Sequence, residues 1–257
     1  MRRFSLAFFW LIFFACFGRL ETPLRAQHTP NPTTGPAAGH ALVAELLSNR
    51  PAENSHWSGT LKISGREDKT PPVPVDCQTT LGETNWSVTY LAGATASHGA
   101  EKLTIIFSTN APPRYFYARA AGPNAPLDEP KSLAGAEADV PFAGSDFWLS
   151  DFGFEFFHWP DQNRLKNQTK RSRGCLVLES VNPHPATGAY ARAVTWLDAE
   201  SNQPLQAEAY DTKGNAIKEF EVGSIEKVHG HYEVKNLKMF NRLNGSRTSL
   251  DFDLQDQ

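Results

Sequence analysis

The sequence predicts a mainly β protein: one large, curved antiparallel sheet with short helices laid against it. Three observations predict it. From Trp57 onward the chain breaks into many short runs of alternating apolar and polar residues, separated by Gly- and Pro-rich breaks. The later breaks carry hairpin chemistry. Only two segments, His40 to Asn49 and Gly144 to Pro160, place apolar residues at helical spacing.

The chain opens with Met1-Arg2-Arg3 and an apolar run from Phe4 to Phe17. A basic start followed by such a run predicts a secretory signal peptide, residues 1–26, cut after Ala26 in L-R-A-Q. The run falls short of the ~20 apolar residues that a membrane-spanning helix needs. A second reading anchors the protein by a lipid on Cys16, in F-F-A-C. Residues 27–39, rich in Pro, Thr, Gly and Ala, read as a disordered linker with too little apolar surface for a core. Residues 40–257 read as one domain. The mature protein is expected to be exported and soluble, or at most peripherally anchored.

In the first part of that domain, Leu42, Val43, Leu46 and Leu47 form a helical stripe that Arg50-Pro51 ends. Strands are predicted over Trp57 to Ser64, Val73 to Thr80, Asn85 to Leu91, Leu103 to Ser108 and Arg114 to Arg119. The stretch from Ala121 to Pro141 reads as a long loop. After it comes G-S-D-F-W-L-S-D-F-G-F-E-F-F-H-W-P, which gathers Phe147, Trp148, Phe152, Phe154, Phe156, Phe157 and Trp159. This predicts a short, broken helix against the sheet, with Ser145 or Asp146 as N-cap and Pro160 as its end. So much apolar surface in one short segment means either the heart of a core or a wrap around something apolar. Strands resume over Cys175 to Val181, Tyr190 to Leu197, Pro204 to Tyr210, Ala216 to Val222, Tyr232 to Phe240 and Thr248 to Leu254. Asn244-Gly245 is the strongest turn signal, since both residues tolerate the positive φ of a type I′ turn.

Composition and motifs narrow the function. A net charge of -3 points to no polyanionic partner, so no nucleic acid is expected. The sequence has no G-x-S-x-G, H-E-x-x-H, Gly-rich phosphate loop or C-x-x-C, so neither an enzyme nor a cofactor is expected. His229-Gly230-His231 puts two imidazoles on one side of an extended strand, but no third metal ligand accompanies them. Asp151 and Glu155 lie one helical turn apart, either as paired carboxylates or as a solvated helix edge. Lys166, Lys170, Arg171 and Arg173 form a basic run, either a solvated turn or a contact for anionic headgroups. Cys77 and Cys175 are either bridged or two separate buried thiols.

Several segments in order resemble the outer-membrane lipoprotein-sorting (LolA-like) family. They are G-S-D-F-W-L-S-D-F (Gly144 to Phe152), G-C-L-V-L-E-S (Gly174 to Ser180), Y-A-R-A-V-T-W-L-D (Tyr190 to Asp198), P-L-Q-A-E-A-Y-D-T-K-G-N-A-I-K (Pro204 to Lys218) and G-S-R-T-S-L-D-F (Gly245 to Phe252). The resemblance implies a half-open, unclosed β-barrel covered by short helices, with an apolar cavity for acyl chains. It implies a periplasmic carrier that works as a monomer, with lipoproteins or other acylated ligands as cargo and envelope transport proteins as partners. An envelope sensor or scaffold using the same half-barrel to bind a protein is the alternative. On this reading Phe147, Trp148, Phe152, Phe156 and Trp159 form a lid. Trp86, Tyr115, Tyr117, Trp196 and Tyr210 face the cavity from the sheet.

Overall fold

The structure, a computed structural model, describes residues 33–65, 70–96, 98–109, 111–228 and 231–254. The expected signal peptide, Cys16 and the first part of the linker lie outside these residues.

Helix α1 (Pro36–Ser48) starts earlier than its apolar stripe, inside the expected linker. Pro36 opens it at a position where a missing N–H costs nothing. Leu42, Val43 and Leu46 are buried, and the helix packs on strand β7 (Asp161–Lys170).

The chain before the aromatic segment forms β1 (Ser55–Ser64), β2 (Val73–Leu81), β3 (Asn85–Ala92), β4 (Glu101–Ser108), β5 (Ala111–Arg119) and a short β6 (Lys131–Leu133). After it, β7 is followed by β8 (Arg173–Val181), β9 (Arg192–Asp198), β10 (Pro204–Tyr210), β11 (Ala216–Val228), β12 (His231–Asn241) and β13 (Arg247–Phe252). All pair antiparallel in one 13-stranded sheet of order β6-β5-β4-β3-β2-β1-β13-β12-β11-β10-β9-β8-β7. Each half is a meander of neighbouring strands, and β1 with β13 joins the halves. This is the large, curved, unclosed sheet that the sequence predicts.

The strand order has one topological consequence. β6 and β7 are consecutive in the chain yet form opposite edges of the sheet. Residues 134–160 must therefore run from one edge to the other. They do so across the inner face, where their rings join the main core. The crossover is not one broken helix. It forms three 3₁₀ turns, Gly135–Ala138, Leu149–Gly153 and Glu155–His158. The break between the last two falls at Phe154, in the left-handed region with φ 47°, rather than at the glycine before it. The last turn touches both β5 and β8, so it bridges the two halves.

Polar groups anchor the crossover. Asp146 is not a cap. Its carboxylate accepts from Ser246 Oγ at 2.5 Å and Thr248 Oγ1 at 2.8 Å, and its N–H donates to Thr248 Oγ1 at 2.9 Å. The Ala143 N–H donates to buried Glu101 at 2.7 Å. Near β7, Gln162 Nε2 donates to the carbonyls of Phe156 and Trp159 at 3.0 and 2.9 Å. All are buried or partly buried, where an unmade hydrogen bond costs ~1–3 kcal/mol.

Turn chemistry differs from expectation. The loop after β12 holds five residues, Arg242 to Ser246, and only its glycine takes positive φ. The two-residue turn with both φ positive is Arg171-Ser172, at 51° and 64°, between β7 and β8. A register shift between Leu165 and Gln168 bends that hairpin. Its tip reaches β11, although β9 and β10 lie between. There Arg171 donates to the Val222 carbonyl and to the Gly223 carbonyl at 2.9 Å. It also pairs with Glu221 at 3.0 Å. Lys170 pairs with Glu208 at 3.7 Å and lies 4.0 Å over the Trp196 ring. Arg173 pairs with Asp198. Three of the four cations in the basic run are thus spent inside the fold.

Under that hairpin lies a second apolar cluster: Cys175, Val177, Val194, Trp196 and Leu205, with Leu165 and Tyr210. The alternation of β8 and β9 sets it on the outer face, since Leu178, Ala193 and Leu197 belong to the main core. Cys77 is in that main core and Cys175 in the outer cluster; both are free, buried thiols. Burial pushes the Cys77 thiol up to about 12.

Candidate functional site

The inner face of the sheet and the crossover over it form the candidate site. Phe152 is its centre. Its ring meets Tyr90 at 4.5 Å and both Phe142 and Phe147 at 5.4 Å between centroids. Further along, Phe156 meets Phe157 at 4.7 Å, and Phe154 meets Phe220 of β11 edge-on at 5.7 Å. Offset and edge-on pairs of this kind add ~0.5–1.5 kcal/mol each beyond their buried area. The rings lie on the inner face as part of the main core.

The expected site residues divide into three groups. Trp86, Tyr115, Phe147, Phe152 and Phe156 are buried in the main core, with Tyr117 and Trp159 packed at its margin. Trp148 stacks on Tyr190 at 4.5 Å, in a small cluster with Ala209 and Ile217. Trp196 and Tyr210 do not face the inner side. The registers Val177–Trp196 and Trp196–Gln206 put Trp196 on the outer face, and Tyr210 packs with it there. Cations cover both rings: Lys170 over Trp196, and Arg192 over Tyr210 at 3.8 Å.

A polar rim borders the aromatic plug. A cavity of about 270 Å³ opens there, walled by Asp139, Ser150, Asp151, Glu155, Trp159 and Tyr190, among others. Asp151 and Glu155 are not a solvated edge, because each bonds to a different element. Asp151 accepts from Tyr190 Oη at 2.9 Å, from the Trp148 N–H at 2.7 Å and from Lys218 Nζ at 3.4 Å. Glu155 accepts from Tyr115 Oη at 2.9 Å, and Ser150 Oγ donates to Asp139 at 2.6 Å. Burial raises the Asp139 and Glu155 carboxyls above their usual range, against the pull of those hydrogen bonds. Burial lowers Lys218, and Asp151 opposes that. Lys218 Nζ also lies 3.7 Å over the Trp148 ring.

Lys218, Tyr190, Asp139 and Tyr90 join the site although no motif singles them out. A signal for Lys218 was present. In A-I-K-E-F-E-V it falls in step with Phe220 and Val222, the residues that enter the core. Among the described residues no group of three or more His, Cys, Asp or Glu could hold a metal ion. The His229-Gly230-His231 pairing lies outside the described residues.

The fold has relatives of known structure. A DUF1329 family protein from Desulfovibrio piger superposes with TM-score 0.66 at 17% identity, over 85% of this chain and 91% of its own. A domain provisionally named as an outer membrane lipoprotein-sorting protein, from Vibrio parahaemolyticus, superposes with TM-score 0.66 at 16% identity, over 85% and 93%. A LolA superfamily protein from Nitrosomonas europaea superposes with TM-score 0.56 at 15% identity, over 87% and 94%. At these identities the likeness is one of fold. No curated protein matches the sequence significantly. A family model described only as an uncharacterized protein matches residues 124–255, just over half of the chain, and the chain belongs to that family.

Proposed function

We propose that this protein is a periplasmic binding protein for acyl chains, a carrier of lipoproteins or other acylated ligands rather than an enzyme. The observation that carries the reading is the edge-to-edge crossover of Phe142 to Trp159. Its rings cover the inner face of an unclosed sheet, yet the only helical structure under them is two short 3₁₀ turns. Such a strap lifts without unravelling the sheet, because no strand pairing runs through it beyond the single bridge Pro141–Trp148.

The apolar terms of an exchange balance, and the buried hydrogen bonds of Asp146 and Ala143 add to the cost of lifting the strap. Exposing one buried Phe costs ~1.5–3 kcal/mol, and each buried methylene returns ~0.8 kcal/mol. About two to four methylenes thus offset one displaced ring, so an acyl chain has enough apolar surface to replace several. Phe147, Trp148, Phe152, Phe156 and Trp159 move with the strap. Trp86, Tyr115 and Tyr117 line the uncovered sheet. On this reading residues 1–26 direct export, residues 40–257 act as a single monomeric unit, and envelope transport proteins deliver and take up the cargo. The superposed lipoprotein-sorting domain supports the assignment.

Extraction of protein purified from envelopes, followed by lipid mass spectrometry, tests it. Bound acyl lipid is expected, as is uptake of a fluorescent fatty acid that F152A alters. A lipid-free protein that takes up no probe overturns the reading.

A further inference from the structure

The outer face of the sheet carries a second site, away from the aromatic strap. A groove of about 520 Å³ runs over β1, β13, β12 and β11, walled by Lys62, Lys238, Phe240, Arg247 and Ser249, with Glu219 and Glu221 on its far side. The registers bring these together: Lys62 opposite Ser249, Ser249 opposite Lys238, Arg247 opposite Phe240.

The charges are unequally spent. Glu219 pairs with Arg242 and accepts from Gln206 at 2.7 Å, and Glu221 is taken by Arg171. Lys62 pairs with Asp251 at 2.8 Å. Lys238 and Arg247 are exposed, and among the described residues neither has a carboxylate partner. Both are nevertheless held. The Arg247 guanidinium lies 4.8 Å over the Phe240 ring. The Lys238 stem crosses Gly223, where a Cβ would come within 2.7 Å of its Cε and 2.0 Å of Asn236 Oδ1. A glycine at that position leaves the room for the stem.

Glu221 stands opposite Lys238 in the register but is taken by Arg171, so Lys238 and Arg247 are two positioned cations without a salt bridge among the described residues, and they match one ligand chemistry. A guanidinium offers paired N–H donors to phosphate oxygens, and an ammonium adds a point charge. We propose that this groove binds a phosphate-bearing anion, with Lys238 and Arg247 as its principal ligands, and that the site is independent of the acyl-binding face.

The test uses the folded protein and the double variant K238A/R247A, with K131A on the far edge strand as control. Binding to vesicles of phosphatidylglycerol and of phosphatidylcholine is measured by flotation. Binding of inorganic phosphate is followed by NMR titration. Wild type and K131A are expected to bind at least one phosphate probe, with about tenfold or greater loss in the double variant. Selective binding to phosphatidylglycerol vesicles assigns the groove to lipid headgroups. Phosphate-induced shifts confined to the groove, without vesicle binding, assign it to a free anion. Failure of the wild type to bind any of these probes overturns the proposal, as does equal binding by the double variant. Both altered residues are exposed, and matching thermal melts confirm that the fold is intact.

Discussion

Gly153 lies directly against Tyr115: a Cβ built on the glycine would sit 2.1 Å from the Tyr115 hydroxyl and 2.8 Å from Cζ. The strap thus meets β5 at a point where only a hydrogen fits. The same hydroxyl donates to Glu155, so the contact is both steric and polar. G153A is expected to destabilise the protein by about 1–3 kcal/mol, because overpacking a buried ring leaves it nowhere to move. Thermal unfolding checks this. Under the carrier reading the same variant loosens the strap and speeds uptake of a fluorescent fatty acid.

The Lys218–Asp151 pair is buried on both sides, with 5% and 8% of the side chains exposed. Removing one partner strands the other charge. K218M is expected to cost about 3–5 kcal/mol, and K218M/D151N to recover much of the loss. Urea unfolding of the two variants beside wild type measures the difference. Equal loss in single and double variants would show that the pair is not the source.

Glu233 carries a buried carboxylate oxygen without a hydrogen-bond partner, and burial raises its pKa to about 7. The folded state holds this proton more tightly than the unfolded state, whose carboxyl ionises near its ordinary 4.5. Stability therefore falls as pH rises from about 4.5 to about 7 on account of this group. E233Q is expected to raise stability at pH 8, by up to about 3 kcal/mol, and to change little at pH 4. His158 works in the opposite direction. Burial lowers it from 6.5 to about 4, so its contribution is complete above 6.5 and is lost as pH falls toward 4. H158F is expected to flatten that acid limb. Denaturation curves across this pH range separate the two groups.

The two thiols lie on opposite faces of the sheet. Alkylation of the unfolded, unreduced protein should therefore add one group each at Cys77 and Cys175, and both should react slowly in the folded state. A bridged peptide recovered by proteolysis would contradict the register of β2 and β8.

Local pattern determined a large part of this protein. Alternation in Val73 to Thr80 and Asn85 to Leu91 marked strands within a residue of their ends, because a half-buried strand repeats every two residues. Pattern also marked the aromatic segment as the place where a core or a wrapped ligand must be sought. It failed where partners are distant in sequence. β7 carries Gln162 and Leu165 inward or under a hairpin amid polar neighbours, so its period is too weak to see. The side of the sheet taken by Trp196 depends on two registers and a bulge after Pro204, none of them local. The role of Asp146 depends on Ser246 and Thr248, about a hundred residues on. Sequence alone thus set most of the strands, though not β6 or β7, and where the apolar surplus lies. Only the tertiary structure decided that β6 and β7 are opposite edges, and so that the surplus must cross the sheet. A strand's own period reports its two faces, whereas the order of strands is fixed by contacts between residues far apart in the chain.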